Sequence, residues 1–131
     1  SPERIARDRR NEAESALKGD DGKATIAAIA RAVEAEILAS TGVNIRGTSG
    51  DGAVRELADA GVSETTAKSA MQILSECEGA RFSPGGVTMD TAHSLWKRAK
   101  EAMGAVATHS SKRASLQPTD SAPPSSRRSS E

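Results

Sequence analysis

Apolar residues recur every three or four positions along most of the chain, and glycines or single helix-capping residues break the pattern into segments. The strongest stripe is Ile26, Ile29, Ala30, Val33, Ile37 and Leu38, which share one face of a helix, with Glu34 and Glu36 falling off it. Asp20 or Asp21 can cap its start, and Gly42 suits its stop. Before it, Ile5, Ala6, Ala13, Ala16 and Leu17 make a thinner stripe among charges from Glu3 to Lys18. Ser1-Pro2-Glu3 opens that helix and Gly19 ends it.

The pattern continues with a short third helix from about Asp51 or Gly52 to Ala60, its inward positions Val54, Leu57 and Ala58, closed by Gly61. Ser63 is an N-cap candidate with Val62 as the preceding staple residue. The fourth helix, Glu64 to Glu78, aligns Ala67, Ala70, Met71, Leu74 and Cys77; Gly79 weakens it and Pro84-Gly85-Gly86 forces a turn. Thr88 caps a fifth helix with the stripe Ala92, Trp96, Ala99, Met103 and Val106, Leu95 lying beside it. Between the second and third helices, Val43 and Ile45 are expected to tuck under the bundle. Five helices with short connections predict an all-α domain over residues 1–107, built as a compact bundle or an orthogonal array. The short third helix and the tight turn after it favour the array.

From Thr108 to Glu131 the chain holds one Leu and three Pro among Ser, Arg and Lys, with no apolar period. Such a segment buries too little surface to offset the entropy of ordering, and 108–131 is expected to be a disordered tail.

Composition sharpens this picture at a few points. Phe82 and Trp96 are the only aromatics, so the core relies on aliphatics and Ala, which suits close-packed helices better than a β-sandwich. Eighteen basic residues balance eighteen acidic ones; fourteen against sixteen fall in 1–107 and four against two in the tail. That balance gives no electrostatic case for a dedicated nucleic-acid binder. A lone Cys77 excludes an internal disulfide and argues against a Cys-built zinc site. No signal peptide is visible, and no run approaches the roughly twenty apolar residues of a membrane span. With no initiator Met, the chain is expected to be a fragment of a larger protein.

Candidate chemistry is sparse. His93 and His109 are isolated and form neither a dyad nor a metal set. The carboxylate pairs Glu12/Glu14, Glu34/Glu36 and Glu76/Glu78 are spaced i, i+2, so they point apart on a helix and read as solvated faces. The glycines from Gly42 to Gly50 follow a helix instead of a strand and lack the Gly-Lys-Ser/Thr ending of a phosphate loop. These residues predict no catalytic site, no cofactor and no metal: a non-enzyme.

Two segments point instead to binding. Residues 53–74 resemble a helix-turn-helix hairpin and support an alternative reading as a small DNA-binding regulator. Against it, the second helix carries Glu64, Glu76 and Glu78 with Lys68, whereas groove reading needs donors and cations. At the start, Arg4, Arg7, Arg9 and Arg10 form a basic cluster that suits nucleic acid, a juxtamembrane collar, or a plain helix surface offset by Asp8, Glu12 and Glu14.

A family resemblance favours the membrane-proximal reading. The arginine-rich start, the Ala-rich segment from Ala24 to Ala39, Leu57-Ala58-Asp59-Ala60-Gly61-Val62 and Ile73-Leu74-Ser75-Glu76-Cys77-Glu78-Gly79-Ala80-Arg81-Phe82-Ser83-Pro84 together resemble the cytoplasmic C-terminal region of BatD-type aerotolerance (oxygen-tolerance) membrane proteins. The resemblance spans about residues 4–105 and is sharpest over 73–84. It implies a membrane-anchored parent with this domain on the cytoplasmic side. It also implies a non-catalytic role in protein interaction, with a MoxR-type ATPase or a von Willebrand factor A-domain protein as partner; the balanced charge and the acidic fourth helix separately predict no nucleic acid. Within it, Arg81 and Phe82 are the candidate interaction residues. They have two readings. In the preferred one Phe82 fills the core beside Trp96 while Arg81 caps helix carbonyls. In the other, the turn from Arg81 to Gly86 presents a docking surface.

Overall fold

The computed structural model describes the backbone of residues 1–116 and the side chains of residues 1–109. It contains five helices: α1 (Pro2–Ala16), α2 (Gly22–Thr41), α3 (Gly50–Asp59), α4 (Glu64–Arg81) and α5 (Met89–Leu116). There is no strand among the described residues. The all-α expectation holds, and several helix ends are set by the residues that local chemistry nominated. Ser1 and Ser63 accept from the backbone N–H groups of Arg4 and Thr66. Of the two candidate aspartates it is Asp21 that caps α2, accepting from Ala24 N–H at 3.0 Å. Thr88 accepts from Thr91 N–H at 3.1 Å at the start of α5. Gly42 ends α2 at φ 77°, a left-handed conformation that costs glycine little.

Several boundaries differ from the sequence expectation: α1 stops at Ala16, two residues before Lys18, with Leu17 as its C-cap, and α3 stops at Asp59 instead of Ala60. α3 begins earlier, at Gly50, because Ser49 supplies its cap. α4 runs through Gly79 to Arg81, three residues beyond Glu78; the weakening effect of one glycine is smaller than the gain from continuing a packed helix. α5 continues past 107 to Leu116, so its end lies inside the segment expected to be disordered. Between Gly104 and Leu116 no glycine or proline interrupts the helix. Residues 117–131, the rest of that expected tail, lie outside the described residues.

α2 is the hub. α1, α4 and α5 each pack against it; α4 also packs against α5, and α3 rests on α4. Its buried positions include the expected Ile26, Ile29, Val33 and Ile37, but also Ala28 and Ala32. The buried arc is therefore wider than a single stripe, and the small residues let neighbouring backbones come close. Leu38, expected inside, stands at the rim and is 37% exposed. Ile5 is likewise exposed on α1. Val43 is partly buried, and Ile45 and Val62 complete the core from the connections, in line with the expected tucking of Val43 and Ile45 under the bundle.

Two close approaches lock the start of α2. A Cβ added at Gly22 would sit 1.9 Å from the Val87 carbonyl oxygen, so the connection into α5 crosses α2 where no side chain fits. Thr25, the one buried polar residue among the described residues, has its Oγ1 2.8 Å from the Asp21 carbonyl and 3.2 Å from that of Ala16. Its hydroxyl is thereby satisfied without water.

Trp96 is buried, as expected, at 4% exposure, and its Nε1–H donates to Glu14 Oε2 at 2.9 Å, tying α5 to α1. Truncating a buried aromatic costs about 3–5 kcal/mol. Trp96→Ala should lower the melting temperature by about 12 °C or more in a thermal scan, since each kcal/mol shifts a domain of this size by about 4–8 °C. Trp96→Phe should lose less. A mutant that melts near the wild-type temperature would show that this face of α5 does not hold the bundle.

Candidate interaction surface

The residues with catalytic potential are dispersed. His93 lies on the exposed side of α5. Cys77 is buried in the core; burial, aided by the nearby Glu76 and Glu34 carboxylates, pushes its thiol up to about 12, which keeps it protonated and inert at neutral pH. Among the described residues no group of three or more His, Cys, Asp and Glu side chains is placed to hold a metal ion. Gly42 to Gly50 form the connection between α2 and α3, with Gly42 and Gly47 both at φ 77°.

The carboxylate pairs do point apart, but most of them have partners. Glu12 pairs with Arg9 and Glu14 accepts from Trp96. Glu36 accepts from Arg10 at 3.0 Å and from Ser40 Oγ at 2.6 Å, and its side chain is only 14% exposed. Glu76 receives a two-pronged contact from Arg98 at 2.7 and 2.8 Å, which holds its carboxyl below the ordinary 4.5. A reading of these glutamates as solvated faces misses the contacts, because Arg10–Glu36 and Trp96–Glu14 join residues far apart in the chain, and helical spacing reports only neighbours within one helix.

The same pairing divides the basic cluster. Arg9 is spent on Glu12 and Arg10 on Glu36, while Arg4 and Arg7 are exposed and make no ion pair among the described residues. The α3–α4 hairpin forms around Gly61 at φ 104°, with Val62 N–H donating to the Leu57 carbonyl at 3.0 Å. On its second helix, however, Lys68 lies 3.2 Å from Glu64, so the cation of that face is matched by a carboxylate.

Phe82 corrects the preferred expectation. Instead of filling the core beside Trp96, it is 71% exposed. It follows Cys77 by five residues, and at about 100° per residue that rotation carries it roughly 140° off the buried Cys77 direction. Nor does Arg81 cap the helix. The Phe82 and Ser83 N–H groups satisfy the last carbonyls, of Gly79 and Ala80, while the Arg81 guanidinium lies 5.5 Å over the Phe82 ring and 3.5 Å from Glu78. The Phe82 ring is thus exposed, with the Arg81 cation over its face.

Beside this turn a groove of about 930 Å³ runs between α2, the 43–50 connection and α4. Ala27, Ala30, Met71 and Leu74 contribute its apolar lining, and Arg31, Arg46 and Arg81 its cations. Glu34 also lines it, half-buried, with Arg46 Nε 3.9 Å away. Burial is the largest influence and raises the Glu34 pKa above 4.5; Arg46 and Arg31 oppose this and Glu78 adds to it.

No protein family, curated protein or solved structure matches the chain. Among the described residues no helix is long and apolar enough to cross a membrane.

A carboxyl whose pKa is raised by folding binds its proton more tightly in the native state than in the unfolded chain. The associated stability is complete below 4.5 and is lost as pH rises through the folded value. Glu34→Gln keeps the neutral shape at every pH. In urea unfolding its stability relative to wild type should rise between about pH 4 and pH 7. A difference that stays flat over that range would show that Glu34 is not desolvated.

Proposed function

We propose that this chain is a non-catalytic protein-interaction module that docks through the turn at the end of α4. The observation that carries the reading is the exposure of Phe82, 71%, in a domain whose other aromatic is buried. Leaving a Phe in water forgoes about 1.5–3 kcal/mol of burial, and binding a partner recovers it. The resemblance of residues 4–105 to the cytoplasmic region of BatD-type aerotolerance proteins supplies the setting: a membrane-anchored parent, this domain on the cytoplasmic side, and a MoxR-type ATPase or a von Willebrand factor A-domain protein as partner. The α3–α4 hairpin favours a second reading, a DNA-binding regulator, but the Glu64–Lys68 pair leaves its second helix poorly suited to phosphates.

Calorimetric titration with the partner ATPase and A-domain proteins tests the proposal. Phe82→Ala should weaken binding at least about tenfold, as truncation of an aromatic anchor does, with the melting temperature unchanged. Equal affinity of the variant, or sub-micromolar salt-dependent binding to duplex DNA that is lost on changing Lys68, overturns it.

The exposed Arg4 and Arg7 bear on the membrane-proximal setting, where each basic residue near an anionic surface contributes about 1 kcal/mol. Association with anionic vesicles should be weak, fall with salt, and disappear in Arg4→Gln/Arg7→Gln. Vesicle binding that survives the double substitution would remove these arginines from the account.

A further inference from the structure

We propose that the groove between α2, the 43–50 connection and α4 binds an acidic peptide segment of the partner protein, one in which aliphatic residues alternate with carboxylates. This rests on the reading of the α4 end as a docking surface and names the chemistry of its partner. Three observations converge on it. First, three arginines face two glutamates in the groove, which leaves it a net positive charge. The side chains of Arg46 and Arg81 are 78% and 63% exposed, and Arg31 is exposed without an ion pair among the described residues. Of the two carboxylates in the same groove, Glu34 is only 29% exposed and its pairing with Arg46 is long, at 3.9 Å, while the exposed Glu78 lies 3.5 Å from Arg81, so Arg31 and Arg46 are the cations least committed to a carboxylate. Second, the lining between these charges is apolar, from Ala27, Ala30, Met71 and Leu74. Third, Arg81 joins the groove to the exposed ring of Phe82, so an apolar anchor and a cationic rim lie on one surface.

Alternative occupants fit less well. A nucleic acid would bring an unbroken row of phosphates against Glu34 and Glu78, whereas a peptide can place neutral residues there. Residues 117–131 of this chain carry Asp120 and Glu131 against Arg127 and Arg128 and provide no acidic run. Guanidinium groups favour carboxylates through paired hydrogen bonds, and partner charge also speeds the encounter.

The test uses the full chain and three fluorescent synthetic peptides of one length: alternating Glu and Leu, the same with Gln for Glu, and the same with Lys for Glu. The Glu peptide should bind about tenfold more tightly than the Gln peptide, lose affinity as salt rises, and outcompete the Lys peptide. Arg31→Gln/Arg46→Gln/Arg81→Gln should remove that preference with the circular dichroism spectrum unchanged. Glu78→Gln, which deletes an exposed like charge, should strengthen binding, a gain that misfolding cannot produce. Equal affinity for the Glu and Gln peptides, an unaffected triple variant, or preference for duplex DNA over the Glu peptide overturns the proposal. If that happens while Phe82→Ala still weakens partner binding, the docking surface stands and only its acidic-peptide chemistry falls. Loss of the preference in Phe82→Ala as well would show that ring and groove act as one surface.

Discussion

Burying α2 on three sides is the requirement from which the architecture follows. Its aliphatic residues Ile26, Ile29, Val33 and Ile37 are sealed by helices α1, α4 and α5, and each such side chain contributes about 1.5–3 kcal/mol when fully removed from water. A helix packed by three neighbours needs a wide apolar arc and small residues within it. Ala28 and Ala32 supply both, and Gly22 allows the Val87 backbone to cross at a distance that no side chain tolerates. With so few aromatics, close approach takes the place of bulk: packing depends on contact between near surfaces, where dispersion is strongest.

Polar groups then fasten what the aliphatics bring together. Trp96 reaches from α5 to Glu14 on α1, and Arg10 of α1 holds the mostly enclosed Glu36 of α2. Both contacts join the outer helix α1 to the rest, and α1 has the thinnest apolar stripe of the longer helices. Arg98 and Glu76 do the same for α5 and α4 in more open surroundings, where solvent weakens the pair. The charges of this domain are thus partly structural fasteners, which is why counting them along the sequence says little about binding.

What remains for function is the surface the packing does not use. α4 outlasts its own buried stripe, and that extension carries Arg81 and Phe82 to the edge of the groove. The basic cluster at the start of α1 is halved by the same logic, since a guanidinium committed to Glu36 is no longer offered to a membrane or a partner.

The helical class, the number of helices and most of their caps were legible in the sequence alone, because helix formation is governed by residues three or four apart and by the side chains at each end. Asp21, Gly42, Ser63 and Thr88 act where local chemistry placed them. The burial of Trp96 followed from the same periodicity. Only the tertiary structure decided which side of each helix faces which neighbour, and so it alone placed Phe82 outside, Leu38 at the rim, and Glu14 and Glu36 in contact with residues of other helices. The physical reason is range. A helix's own hydrogen bonds and capping contacts close within a turn, whereas burial and ion pairing depend on where segments dozens of residues apart meet in space.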